Sequence, residues 1–237
     1  MKTTYLKDFK DYSQNKIAFV PLGTIEWHGN HLPIETDFLV AQKICEILST
    51  KTRGYVLPPI YLGTDKMRVK GGKKFVGMNA KLGKELEGSL YYLKPHILLK
   101  MIDNLVINLI KQGFSKIYLI TGHGGSKHIE VLNKIEKKYK NVILLNPFKF
   151  LSINASHADE FETSLLWACY PEEEKKSRKM IIGKDDDFVR FKGYDVREKA
   201  SLAIGKKMLG EIISNLSRII KHSRTNGGLV ADGGYRR

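Results

Sequence analysis

Cysteine is nearly absent: Cys45 and Cys169 are the only two in 237 residues, and they stand far apart in apolar surroundings. That excludes a disulfide framework and a thiolate metal site, and leaves both as small core residues. Long apolar runs are missing too, since nothing approaches the roughly 18 consecutive apolar residues of a membrane-spanning helix. The opening residues, Met1 to Asp8, hold no apolar stretch of the signal-peptide kind, so the expectation is a cytoplasmic protein without a membrane partner. Repeats, low-complexity tracts and Pro/Ser-rich linkers are also lacking, and residues 1–237 therefore read as a single domain. Negative charge is the scarcer sign: 25 Asp and Glu stand against 40 Lys and Arg, a formal net charge of +15. Nucleic-acid binding rests on clustered Lys and Arg. Here the basic residues are spread from end to end, with local densities at 66–74, 134–140 and 175–184, which disfavours a nucleic-acid partner. Attraction of anionic small molecules is the milder implication.

What the chain does contain is an alternation of strand and helix patterns. Ile17 to Leu22 is a short apolar run closed by Gly23, followed by a loop and a periodic segment from Phe38 to Leu48. Tyr55-Val56-Leu57, before Pro58-Pro59, reads as a second strand, and residues 60–90 read as an irregular, glycine-rich, basic excursion. Pro95 suits the first turn of a helix whose apolar positions run from Ile97 to Ile110 until Gly113 ends it. Lys116 to Thr121 is a buried-type strand that enters Gly122-His123-Gly124-Gly125 and then a helix capped by Ser126. Val142 to Asn146 is a further strand, and helices are expected from about Glu160 to Tyr170 and from about Asp195 to Lys221. The repeated β-α order predicts an α/β fold with a mostly parallel sheet, helices on both faces and a site at the carboxyl ends of the strands.

The residues able to bind metal concentrate at those strand ends. Glu26 and His28 lie two apart, so in an extended stretch their side chains point the same way, Asp37 precedes a helix, and His123 sits among glycines that allow a tight turn. A mixed Asp, Glu and His set suits zinc, manganese or iron, as one or two ions. Such an ion activates water and polarises a carbonyl, which makes amide hydrolysis the natural reaction class. His157 and Glu162, at another loop-to-helix junction, are candidates for a general base, an acid or a further ligand. His96, His128 and His222 read as surface or capping residues without a role. Gly71-Gly72-Lys73-Lys74 is a cationic tip, and Lys73 and Lys74 are the candidates for binding an anionic substrate group. A basic nucleic-acid-binding protein and an inactive scaffold of the same fold are the competing readings.

Three segments together carry a family resemblance. Pro21-Leu22-Gly23-Thr24-Ile25-Glu26-Trp27-His28-Gly29-Asn30-His31-Leu32-Pro33-Ile34-Glu35-Thr36-Asp37 closely resembles the signature of the creatininase (creatinine amidohydrolase) family. Thr121 to Ser126 is similar to its glycine-histidine-glycine-glycine loop, and His157-Ala158 with Glu162-Thr163-Ser164 to its histidine-alanine and glutamate-threonine-serine block. The resemblance implies a three-layer αβα sandwich, a metal centre at the strand ends and hydrolysis of cyclic or linear amides. By position it implies Glu26, His28, Asp37 and His123 as metal ligands, Asp37 as a bridge between two ions, and His157 as a catalytic histidine. Creatininase has a ligating glutamate two residues after the loop histidine, where this chain has Gly125; that argues against creatinine as the substrate and makes Glu162 the candidate replacement, unless Glu162 is the base. Residues 61–82 also depart from the family pattern, implying a different or larger substrate. Some relatives deformylate a phosphorylated ribosylaminopyrimidine, and the family's members often form homo-oligomers.

Overall fold

The computed structural model describes residues 6–13, 15–90 and 92–225. Residues 1–5, 14, 91 and 226–237, which the expected unit of 1–237 includes, lie outside the described residues. The chain forms α1 (Leu6–Ser13), β1 (Ile17–Leu22), α2 (Thr36–Thr52), β2 (Tyr55–Val56), β3 (Met67–Lys70), β4 (Lys73–Val76), α3 (Gly77–Leu82) and α4 (Pro95–Lys111). It continues with β5 (Lys116–Thr121), α5 (Ser126–Lys138), β6 (Val142–Leu145), α6 (Glu160–Cys169), α7 (Pro171–Lys179), α8 (Asp187–Lys192) and α9 (Leu202–Thr225). The main sheet has the order β2-β1-β5-β6, and each pairing is parallel.

Both faces of this sheet are covered, which is why its strands read as continuous apolar runs rather than alternating ones. Ile17, Phe19, Tyr118, Ile120, Ile143 and Leu145 point to a core shared with α2, α6 and α9. Ala18, Val20, Leu22, Ile117, Leu119 and Val142 point the opposite way, toward α4 and α5. The result is the expected three-layer αβα sandwich. Leu98, Ile102, Val106 and Leu109 form the buried stripe of α4, while Ile97 and Ile110 at its margins are exposed. Cys45 and Cys169 are free and buried, as expected of core thiols, and burial pushes the Cys169 thiol up to about 12. Among the described residues no helix is long and apolar enough to cross a membrane.

Three expectations need correction. Residues 60–90 are not irregular throughout: β3 and β4 form an antiparallel hairpin, with Lys70 opposite Lys73, and α3 follows it. Gly71 and Gly72 both take positive φ, 55° and 76°, the conformation of a two-residue turn whose twist matches the strands it joins. The last helix begins at Leu202 rather than near Asp195, because Asp195 instead caps a 3-10 turn, Val196–Glu198, by accepting from the Arg197 backbone N–H. Ser126 is the first residue of α5 rather than its cap, and the capping position, Gly125, offers no side chain.

Candidate metal centre

The site forms where β1 and β5 end side by side, Leu22 opposite Thr121. Two glycines let the start of α2 press onto these ends: a β-carbon on Gly23 would lie 2.4 Å from the Phe38 backbone nitrogen, and one on Gly122 would lie 2.0 Å from the Asp37 carbonyl oxygen. Asp37, in the first turn of α2, is thereby held between the loop after β1, which carries Glu26 and His28, and the loop after β5, which carries His123. The third contribution comes from the turn before α6. There Ala158 has φ 50°, a left-handed backbone rare for a residue with a side chain. Asp159 caps the helix by accepting from the N–H groups of Phe161 and Glu162. His31 ties the first loop to this turn, since its Nε2 lies 3.2 Å from both the Ala158 carbonyl and the Thr163 hydroxyl.

Among the described residues three overlapping groups of ligand-type side chains result: Glu26, Asp37 and His123; His28, Asp37 and Glu162; and Glu26, His28 and His157. Asp37 belongs to the first two. His123 Nδ1 is 2.9 Å from Asp37 Oδ2 and 3.1 Å from Glu26 Oε1. His28 Nε2 is 3.4 Å from Asp37 Oδ1 and 3.8 Å from Glu162 Oε2, and it has no hydrogen-bond partner. The opposite nitrogen, Nδ1, donates to the Glu26 carbonyl at 2.9 Å, so Nε2 is the atom that faces the two carboxylates and would offer its lone pair to an ion once its proton leaves. Glu162 accepts from the Ala158 N–H.

Three carboxylates and two imidazoles, all nearly sealed from water, demand positive charge. Without an ion, protons supply it. Burial opposes a charged His28, but Asp37, Glu162 and Glu26 outweigh burial and raise its pKa to about 9. His123 rises well above its ordinary value for the same reason, with Glu26 and Asp37 overcoming burial. Burial pushes Glu26 up, yet His123 and His157 bring it down to about 2, and Asp37 is lowered in the same way by His123 and His28. Glu162 goes the other way, raised to about 8 chiefly by burial. A divalent cation would replace those protons, and the unpartnered, fully buried Nε2 of His28 between two carboxylate oxygens fits one.

His157 is placed differently. It is partly exposed, its Nε2 donates to the Trp27 carbonyl at 2.8 Å, and its Nδ1 stands 3.5 Å from Glu26 Oε1. Burial and the nearby His28 lower its pKa to about 4, which keeps it neutral at physiological pH. A cavity of about 450 Å³ opens over the cluster, and Glu26, Asp37, His123, His157 and Glu162 all line it. Its cationic wall is made by Lys66, Arg68 and Lys81. Lys73 and Lys74 are exposed on β4 and are not among the lining residues. His96 and His222 are exposed, as expected, but His128 is fully buried: its ring stands edge-on to His123 at 5.0 Å, and Nε2 meets the Thr121 hydroxyl. Three residues escaped the sequence reading. Tyr92 donates its hydroxyl to Glu26 Oε2 at 2.7 Å, Asp65 lines the cavity, and Phe188 packs on Trp27 and His31.

Comparison with known proteins identifies related chains of the same fold. The model of the creatininase family, described as creatinine amidohydrolase, matches residues 3–220. Creatinine amidohydrolase of Pseudomonas putida is 23% identical over 181 residues, 66% of this chain and 65% of that protein, just under two thirds of its length. A 2-amino-5-formylamino-6-ribosylaminopyrimidin-4(3H)-one 5'-monophosphate deformylase of Methanothermus fervidus is 25% identical over 239 residues, 88% of this chain and 85% of the relative. Among solved structures, a creatininase mutant described as Zn-Zn type superposes with a TM-score of 0.69 at 17% identity, covering 94% of this chain and 96% of that one.

Proposed function

Because the chain belongs to the creatininase family, we propose that it is a metal-dependent hydrolase of a non-peptide C–N bond, a cyclic amide or a formamide of a small molecule. The observation that carries this reading is the pair of ligand groups sharing Asp37 beneath one cavity. Glu26, Asp37 and His123 would hold one ion, and His28, Asp37 and Glu162 a second, with zinc, manganese or iron suited to the donor set. A bound ion supplies a Lewis acid for the carbonyl and lowers the pKa of water. The chain's own part in proton handling falls to His157: neutral, facing the cavity and with Nδ1 unprotonated, it accepts a proton at Nδ1 and returns it to the leaving nitrogen. Glu162 serves as a ligand in this assignment, its carboxylate facing His28 Nε2.

The substrate class follows from the cavity wall. Lys66, Arg68 and Lys81 favour a substrate with an anionic group, such as a phosphorylated formamide, over creatinine. Exposed Lys73 and Lys74 add to the field that draws an anion toward the opening. The enzyme works in the cytoplasm as a single catalytic domain, in homo-oligomers.

The test combines metal analysis with a substrate panel. Purified protein is expected to carry stoichiometric transition metal, Glu26→Gln and His28→Ala to lose it, and hydrolysis to favour phosphate-bearing formamides over creatinine. Absence of metal from the wild-type protein, after supply of zinc, manganese and iron, sinks the reading. Hydrolysis of creatinine in preference to the anionic formamides keeps the enzyme class and removes the substrate assignment.

A further inference from the structure

We propose that Asp65 is the carboxylate that holds His123 for metal binding, a positioning residue outside the ligand set; this rests on the metal-hydrolase reading above. The case starts from Gly125, where a β-carbon would lie 2.4 Å from His123 Nε2 and 2.8 and 2.9 Å from Cγ and Oδ1 of Asp65. The Gly125 β-carbon position is therefore in contact with both the imidazole and the carboxylate, and only glycine leaves it open. Gly125 has φ −54°, which any residue adopts, so contact with these two side chains rather than backbone strain is what excludes a side chain here.

His123 is 3% exposed, and Nε2 has no hydrogen-bond partner, while Nδ1 faces Glu26 and Asp37. An imidazole whose Nδ1 serves an ion carries its proton on Nε2, and a buried N–H costs free energy unless an acceptor takes it. Ligating histidines almost always donate that second N–H to a carbonyl or carboxylate, which fixes the ring and raises its basicity. The other two histidines of the cluster follow the rule: His28 donates to the Glu26 carbonyl and His157 to the Trp27 carbonyl. His123 is the exception, and the Asp65 carboxylate, which meets the same Gly125 β-carbon position, is the acceptor assigned to its nitrogen. Asp65 is itself anchored, since Oδ1 accepts from the Lys66 backbone N–H at 2.6 Å. It reaches the site from the segment before β3, which links the position of the hairpin to the metal centre.

The test uses the full chain and Zn²⁺ alone, with affinity measured by competition against a chromophoric chelator, metal content by mass spectrometry, and the Tm of the metal-free protein recorded in parallel. Asp65→Ala is expected to weaken Zn²⁺ ten- to hundredfold at one site with the metal-free Tm unchanged. Gly125→Ala, which puts a β-carbon against both groups, is expected to reproduce that loss. Zn²⁺ affinities in Asp65→Ala equal to those of the wild type overturn this inference and leave the hydrolase reading standing. So does a loss of affinity that only accompanies a lowered metal-free Tm. A wild-type protein that binds no Zn²⁺, manganese or iron overturns the hydrolase reading itself.

Discussion

Tyr92 and His157 touch the same carboxylate, Glu26, yet should fail in different ways. The Tyr92 hydroxyl gives Glu26 Oε2 its donor, and burial, with the adjacent carboxylates, holds the phenol far above its ordinary pKa, so it stays protonated and donating. Tyr92→Phe leaves the Glu26 orientation to the ion alone; we expect metal affinity to fall about tenfold, measured by chelator competition, with little change in fold. His157→Gln should keep wild-type metal content and lose about 10²- to 10⁴-fold in kcat, the range for one acid–base group. Loss of metal in His157→Gln would instead make His157 a ligand of the group it forms with Glu26 and His28. The contrast between these residues also shows what the chain discloses locally. Glu26 and His28 stand in one strand-end loop, Asp37 opens the helix that follows it, and His123 is flanked by glycine, so residue type and spacing mark them. Tyr92 comes from a segment with no periodicity, and its partner is 66 residues away, so only the tertiary approach makes it functional. His128 differs, because its signal is local: it stands one turn before Val131 and Leu132 on the buried stripe of α5, which turns it inward behind His123.

Elements were legible where their apolar residues keep a period, and hidden where they do not. The four strands of the main sheet and α2, α4, α5 and α6 bury regular stripes or runs and were readable to within a few residues, whereas the exposed β3 and β4 were not. Helix α7 buries only Ser177 and is instead laid out along the helix dipole, with Glu172, Glu173 and Glu174 in its first turn and Lys176, Arg178 and Lys179 in its last. Helix α8 is six residues long, too short for any stripe to show. Both therefore pass as loop in a search for hydrophobic periodicity. The packing of α9 on α6 gives a paired prediction from two glycines of one helix. A β-carbon on Gly205 would lie 1.8 Å from the Ser164 carbonyl oxygen, whereas one on Gly210 would meet nothing within 4 Å. Gly205→Ala must push α9 off the helix that carries Glu162, and we expect a loss of about 1–3 kcal/mol in chemical denaturation, together with weaker metal binding. Gly210→Ala should stabilise by about 0.5–1 kcal/mol, because alanine loses less backbone entropy in a helix. Equal effects of the two substitutions would mean that α6 and α9 do not press together at Gly205.

At the scale of the whole molecule, the site makes folding, protons and metal compete for the same negative charge. In the ion-free protein His28 is raised from 6.5 to about 9, so it contributes stability that is complete below about pH 6.5 and lost as pH rises through about 9. Glu162, raised from 4.5 to about 8, acts with the same sign, because the folded state holds its proton more tightly than the unfolded chain. Glu26 and Asp37 act oppositely, their lowered pKa values giving stability that disappears as pH falls through the acid range. Chelated protein should therefore be most stable on the acid side of neutrality and lose on the order of 5 kcal/mol between about pH 6.5 and 9, from His28 and Glu162 together. Metal reverses this dependence, since an ion binds the deprotonated ligands and its affinity grows as the protons leave. At a free concentration a hundred times its dissociation constant, an ion adds about 2.7 kcal/mol to folding. Denaturant titrations with chelator and with saturating Zn²⁺, run from pH 6 to 9, should give curves that diverge as pH rises. Parallel curves would mean that the protons of His28 and Glu162 are not what the ion displaces.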